Sequence, residues 1–217
     1  MQTRSACEEF ELNKIPLTRR DLGVLEGYHS PQLDVPVRLN TNESPLPLPD
    51  TFTQEFESEI KNFDLNRYPN RSANELCTSI ADKELLRGSE VFVANGSNEV
   101  IQSICLAFGG NDRSALIFEP TYAMHSQIAK ITGTRVIEGS RNAEFQVDEY
   151  AALDAIKKDR PEIVFLCSPN NPTGNIETPE LIDGILTELN STGGLLVIDE
   201  AYKEFSENAS ELIVSDE

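Results

Sequence analysis

Positive charge is scarce in this sequence. Its 217 residues carry 18 Lys and Arg against 37 Asp and Glu, a formal net charge of −19, and a field of that sign repels a nucleic-acid backbone or an anionic membrane surface. General polyanion binding is excluded as a function class, so an anionic ligand would need a local site, such as backbone N–H groups at a helix start. Tryptophan is absent, and histidine is limited to His29 and His125. The 4 cysteines (Cys7, Cys77, Cys105 and Cys167) form no CxxC pair. Neither a zinc knuckle nor a disulfide scaffold fits them; four inert thiols in a reducing cytosol are expected, and no metal site. Long apolar runs are missing as well: Leu195 to Ile198 falls far short of the ~20 residues a membrane span requires. The opening stretch through Lys14 holds acidic residues where a signal peptide needs an apolar core. The expectation is a cytoplasmic protein without nucleic-acid or membrane partners.

What is present suits a folded domain. Hydrophobic residues make up 39% and charged residues 25%, with 12 Gly and 12 Pro dispersed, which allows a sizeable core. Residues 1–50 are punctuated by Pro16, Pro31, Pro36, Pro45, Pro47 and Pro49 and read as an irregular arm. From Ser72 the texture changes. A helix is predicted over Ser72 to Leu86, with Leu76, Ile80 and Leu85 near one face and Gly88 as its stop. A strand is predicted at Val91 to Ala94 and a helix over Val100 to Phe108. The alternation continues with strands at Ala115 to Phe118, Arg135 to Ile137, Ile163 to Cys167 and Leu195 to Ile198. Helices from about Tyr122 to Ile131, Glu149 to Lys158 and Pro179 to Leu189 lie between them. Strands alternating with helices of this length imply βαβ crossovers, hence an α/β fold with a mainly parallel sheet flanked by helices.

In open α/β sheets ligands sit beyond the carboxyl ends of the strands, and four such places carry suggestive chemistry. At Gly96-Ser97-Asn98, Gly96 allows a tight turn, Ser97 is a good N-cap, and the helix start behind it could cradle a phosphate or simply be capped. Tyr122 after Pro120-Thr121 could stack on a flat ligand or fill the core. Asn171, stiffened by Pro172, could donate to a phenolic oxygen or merely shape a turn. Asp199 ends an apolar strand, where a carboxylate needs a positive partner. A protonated pyridine nitrogen is one candidate. Mg²⁺ in a Walker-B strand is another, but no GxxxxGK[ST] loop accompanies it. A capped, solvent-facing aspartate is the third reading.

Six stretches in this order and spacing resemble the histidinol-phosphate aminotransferase family of fold-type-I pyridoxal-phosphate (PLP) enzymes. They are Arg38 to Pro45, Arg67-Tyr68-Pro69, Asn95 to Glu99, Pro120-Thr121-Tyr122, Ser168 to Gly174, and Asp199-Glu200-Ala201-Tyr202. Pro31 to Val37, leading into Asn42-Glu43, is similar to the actinobacterial branch. The resemblance implies a fold-type-I large domain over residues 66–217, incomplete at its C-terminal side, preceded by an arm and small-domain segment at 1–65. It implies that Gly96, Ser97 and Asn98 hold the PLP phosphate and that Tyr122 stacks on the ring. Asn171 and Tyr202 would bond its phenolic oxygen, and Asp199 would pair with the ring nitrogen. Tyr68 would reach the cofactor of the other subunit of a homodimer, while Asn42, Glu43 and Tyr28 would line the substrate side. Two departures stand out: Asn98 where the family often has Asp, and Leu46 where an aromatic is common.

The family's catalytic lysine lies in a later Ser-Lys segment, beyond Glu217. Lys203 directly follows Tyr202 and is expected to point away from the ring. The sequence therefore reads as the N-terminal part of an aminotransferase that transfers an amino group between glutamate and imidazole-acetol phosphate, with negligible turnover expected from these residues alone. An aromatic aminotransferase, a threonine-phosphate decarboxylase, or a non-catalytic PLP-binding or dimerising remnant are the alternatives.

Overall fold

Adjacent residues of a strand point to opposite faces of a sheet, and the two longest apolar strand segments use that alternation to build two cores. The computed structural model describes residues 16–23, 31 and 33–206. Four strands, β1 (Ser114–Glu119), β2 (Arg135–Ser140), β3 (Ile163–Cys167) and β4 (Leu195–Asp199), form one sheet in the order β2-β1-β3-β4, every neighbouring pair parallel. On one face Ala115, Ile117, Ile163 and Phe165 pack against Ile101 and Cys105 of α3 (Ser97–Phe108) and Ile128 and Ala129 of α4 (Met124–Ile131). On the other, Leu116, Phe118, Val164 and Leu166 meet Ala152 and Ile156 of α5 (Glu149–Asp159) and Leu181, Ile185 and Leu189 of α6 (Pro179–Thr192). Burial on both faces is why β1 and β3 read as unbroken apolar runs.

Local chemistry sets the helix boundaries. Asp148 caps α5 by accepting the Ala151 N–H at 2.8 Å, and Thr178 caps α6 by accepting that of Leu181 at 3.2 Å, with Pro179 in the first turn. Gly193, at φ 85°, closes α6 in the left-handed conformation that glycine adopts without strain.

Several expectations need correction. Val91 to Ala94 is not a strand: no partner strand bonds it among the described residues, and β-propensity without a neighbour makes no ladder. The predicted helix over 72–86 is α2 (Asn74–Glu84), and it buries Cys77 and Ala81, whereas Leu76 and Leu85 are exposed. It stops at Leu85, which turns left-handed, and Gly88 opens a short 3₁₀ turn. α4 starts at Met124 rather than Tyr122. A further helix, α1 (Asp50–Asn62), has no counterpart in the sequence reading and buries none of its residues.

Candidate functional site

The chain enters the sheet at β1, adds β2 on one side and then crosses to place β3 on the other, so the tips of β1 and β3 flank a topological switch point where α/β sheets hold ligands. The segments leaving these tips are tied to each other. Asn170, buried after β3, accepts a bond from Thr121 Oγ1 at 2.7 Å and donates to the Pro120 carbonyl at 3.1 Å and to Thr173 Oγ1 at 2.8 Å. A short amide side chain thereby fixes the β1 and β3 loops relative to each other, and Asn171 follows it directly.

Asp199 ends β4, level with Cys167 of β3. His125, fully buried on α4, donates from Nε2 to Asp199 Oδ2 at 3.0 Å, while Oδ1 accepts the Ala201 N–H at 3.1 Å. Burial, the largest single influence on this carboxyl, works upward. The His125 hydrogen bond and charge and the Ala201 N–H outweigh it and carry Asp199 below its ordinary value. The His125 ring is held between Phe165, stacked at 4.9 Å, and Tyr122, edge-on at 5.5 Å. Its Nδ1 is buried without a hydrogen-bond partner among the described residues.

Tyr122 closes the line toward α3, its hydroxyl donating to Asn98 Oδ1 at 3.1 Å. At that helix start the cap position is held by Gly96, not Ser97, and no side chain caps it. Gly96 has φ 79° with open space around it, a backbone state that only glycine takes without strain. Ser97 is the first helical residue. The Asn95 N–H is taken by Glu99 Oε2 at 2.6 Å, and the helix start meets a charge of the opposite sign most favourably.

The second group of predicted residues lines a cleft of about 770 Å³ between the 42–46 segment, the 169–174 loop and the Tyr202–Phe205 turn. Asn42 Nδ2 donates to the Tyr202 hydroxyl at 2.9 Å across 160 positions of sequence. Glu43 faces the same cleft and pairs with Arg38 at 3.5 Å, and Asn171 forms part of the wall. Tyr68 is fully exposed, beside a separate hollow shared with Phe63, Arg67 and Leu76. Tyr28 and Cys7 lie outside the described residues. Lys203 bonds Glu84 at 3.5 Å and Glu200 at 3.8 Å, so it is ion-paired rather than directed into open solvent. Cys77, Cys105 and Cys167 are buried and free, and burial pushes the Cys105 and Cys167 thiols up to about 11. No helix among the described residues is long and apolar enough to cross a membrane.

Sequence reasoning missed His125, Asn170, Thr121, Arg141 and Glu177. His125 had a usable signal, since it stands three residues after Tyr122 on the face of a helix that packs on the sheet. Thr121 and Asn170 fall within two of the quoted stretches without being singled out, whereas Arg141 and Glu177 show nothing in sequence that separates them from ordinary turn or surface residues.

A parallel sheet covered on both faces defines a doubly wound α/β protein, and a desolvated carboxylate and an uncapped helix start, joined at its strand tips, make those tips the candidate ligand site. The chain belongs to the family described as aminotransferase class I and II, which matches residues 35–216. It is 41% identical to the histidinol-phosphate aminotransferase of Corynebacterium diphtheriae over 94% of this chain and 57% of that protein. It is 43% identical to that of Frankia casuarinae over 90% of this chain and 51% of that protein. The crystal structure of histidinol-phosphate aminotransferase from Sinorhizobium meliloti in complex with pyridoxal-5′-phosphate shares the fold, at a TM-score of 0.69 and 19% identity, over 78% of this chain and 45% of that one. The chain thus spans about half the length of these relatives.

Proposed function

We infer that this chain supplies the cofactor-binding part of a PLP-dependent histidinol-phosphate aminotransferase, acting between glutamate and imidazole-acetol phosphate in histidine biosynthesis. The observation that carries this reading is the continuous contact line from the uncapped start of α3 through Asn98, Tyr122 and His125 to the ionised Asp199. One end offers N–H donors suited to a phosphate, and the other offers a buried carboxylate suited to a protonated ring nitrogen. The residues therefore fit the cofactor. The identity to histidinol-phosphate aminotransferases from two organisms supports the particular substrate.

Gly96, Ser97 and Asn98 would hold the phosphate, and Asp199 would keep the ring nitrogen protonated. His125 keeps Asp199 ionised against the pull of burial. Asn171 and Tyr202 would donate to the phenolic oxygen, and Tyr122 would cover the ring. Asn42 and Glu43, with Tyr28, would meet substrate in the cleft. When bound, PLP supplies an electron sink that makes the substrate's Cα proton removable. Lys203 is not assigned to move that proton, because Glu84 and Glu200 engage it. In this reading residues 1–65 are an arm and small-domain segment and 66–217 part of the large domain. The whole protein works as a cytoplasmic homodimer in which Tyr68 serves the neighbouring subunit.

The test has two arms. PLP titrated into the purified chain is followed by absorbance and fluorescence, and Asp199→Ala is expected to weaken binding by at least an order of magnitude. Equal affinity in that variant would remove Asp199 from the site. In the whole protein, histidinol phosphate with 2-oxoglutarate is expected to outpace phenylalanine and threonine phosphate as substrates. The reverse order would favour an aromatic aminotransferase or a phosphothreonine-directed relative.

A further inference from the structure

A buried ion pair at the strand tips has no role in the site described above. Arg141 follows β2 directly and its side chain is 1% exposed. Its Nε donates to the Phe118 carbonyl of β1 at 3.1 Å; Nη1 donates to the Phe145 carbonyl at 3.0 Å and to the Glu177 carboxylate at 2.7 Å. The Glu177 side chain is 4% exposed. Its backbone N–H donates to Ser168 Oγ at 3.0 Å, and the Ser168 N–H donates to the Asp199 carbonyl at 3.0 Å. A polar line therefore crosses the ends of all four strands: Arg141 after β2, Phe118 in β1, Ser168 after β3 and Asp199 closing β4.

Net stabilisation is a poor explanation for this pair. Desolvating two charges offsets most of their attraction, and apolar residues of similar volume commonly replace such pairs at no cost to the fold. Arg141 Nη2 is in addition buried without a partner among the described residues, a further penalty. What the arrangement does supply is direction: two charges with short, oriented hydrogen bonds admit few alternative geometries.

We propose that Arg141 and Glu177 are positioning residues that clamp the 168–177 segment, and with it Asn171, against the tips of β1 and β4 so that the ligand site is set before the ligand arrives. The identity of the ligand rests on the PLP reading above; the clamp itself does not.

The double substitution Arg141→Met with Glu177→Leu removes both charges and keeps apolar bulk. In the full chain it is expected to melt close to the parent while binding PLP on the order of tenfold more weakly, through loss of preorganisation. Amide exchange at Gly174, whose N–H bonds the Asn170 carbonyl, and at Glu177 is expected to quicken by on the order of tenfold. Parent-like PLP affinity together with unchanged exchange would show the pair to be structural filling and overturn the proposal. Should the double variant not fold, Glu177→Gln decides: it removes the ionic partner of Arg141 and leaves every backbone acceptor of the segment in place, and faster exchange at Gly174 is expected, whereas unchanged exchange overturns the clamp. If the parent chain takes up no PLP, the functional reading fails, and exchange across 168–177 still decides the clamp by itself.

Discussion

The strand tips and the 33–65 segment are both proline-punctuated, yet their polar groups are held in opposite ways. At the tips, bonds join residues far apart in sequence: Thr121 with Asn170 across 49 positions, His125 with Asp199 across 74, Arg141 with Glu177 across 36. In the 33–65 segment the bonds are local, such as Arg38 to the Leu33 carbonyl and Leu46 N–H to Ser44, and none of its residues is buried. Asn42 to Tyr202 is the one long-range side-chain bond that the segment makes among the described residues. Polar groups taken out of water must find partners, and that requirement fixes geometry. Exposed polar groups exchange their partners with solvent and fix little. On the proposed reading, a cofactor-sized site has its rigid half at the sheet and its adaptable half in the 33–65 segment.

Substitutions in matched pairs break or sharpen this contrast. The largest effect is expected at the ion pairs. Arg141→Ala leaves the Glu177 charge buried and alone and should cost about 3–5 kcal/mol, whereas Arg38→Ala, from the exposed pair with Glu43, should cost about 0–1 kcal/mol; urea unfolding midpoints compare them. Next, Leu116→Ala in the sheet core should cost about 2–5 kcal/mol, against about 0.5 kcal/mol or less for Val37→Ala, whose side chain is exposed.

His125→Ala leaves Asp199 without its main hydrogen bond and should cost about 1–3 kcal/mol. It also changes the pH response. Because the folded state depresses the Asp199 carboxyl, its contribution is present above the ordinary carboxylate value and is lost as pH falls through the depressed one. Without His125, burial is opposed only by the Ala201 N–H, the carboxyl rises, and acid unfolding should begin at higher pH, as read by circular dichroism across an acid titration. Asn42→Ala is expected to cost less than any of the sheet and strand-tip substitutions, about 0.5–1.5 kcal/mol, with looser ligand binding in the cleft. Should that substitution unfold the sheet, the division into a rigid and an adaptable half would be wrong.

Much of the fold was legible because burial on two faces writes itself into composition. The runs Ala115 to Phe118 and Ile163 to Cys167 fit strands between two helical layers, and Thr178-Pro179 and Gly193 punctuate α6 by their own backbone preferences. Val91 to Ala94 has the same apolar texture as these strands and yet stands unpaired, since pairing depends on a neighbour that local sequence cannot name. Site residues divide the same way. Tyr122, Asn171 and Asp199 were visible because they stand at or just after strand ends, and Gly96 because it opens a helix, whereas the burial of Asn170 rather than Asn171 is settled by which amide reaches Pro120 and Thr121.

By itself, the amino-acid order determined the alternation of strands and helices, the parallel sheet and the strand ends at which chemistry would gather, because these follow from periodicity and from the φ preferences of Gly and Pro. Tertiary structure alone decided that His125 supports Asp199 and that Arg141 reaches Glu177. Those outcomes depend on which desolvated groups come within hydrogen-bond reach, a distance between remote residues that no local stretch of sequence encodes.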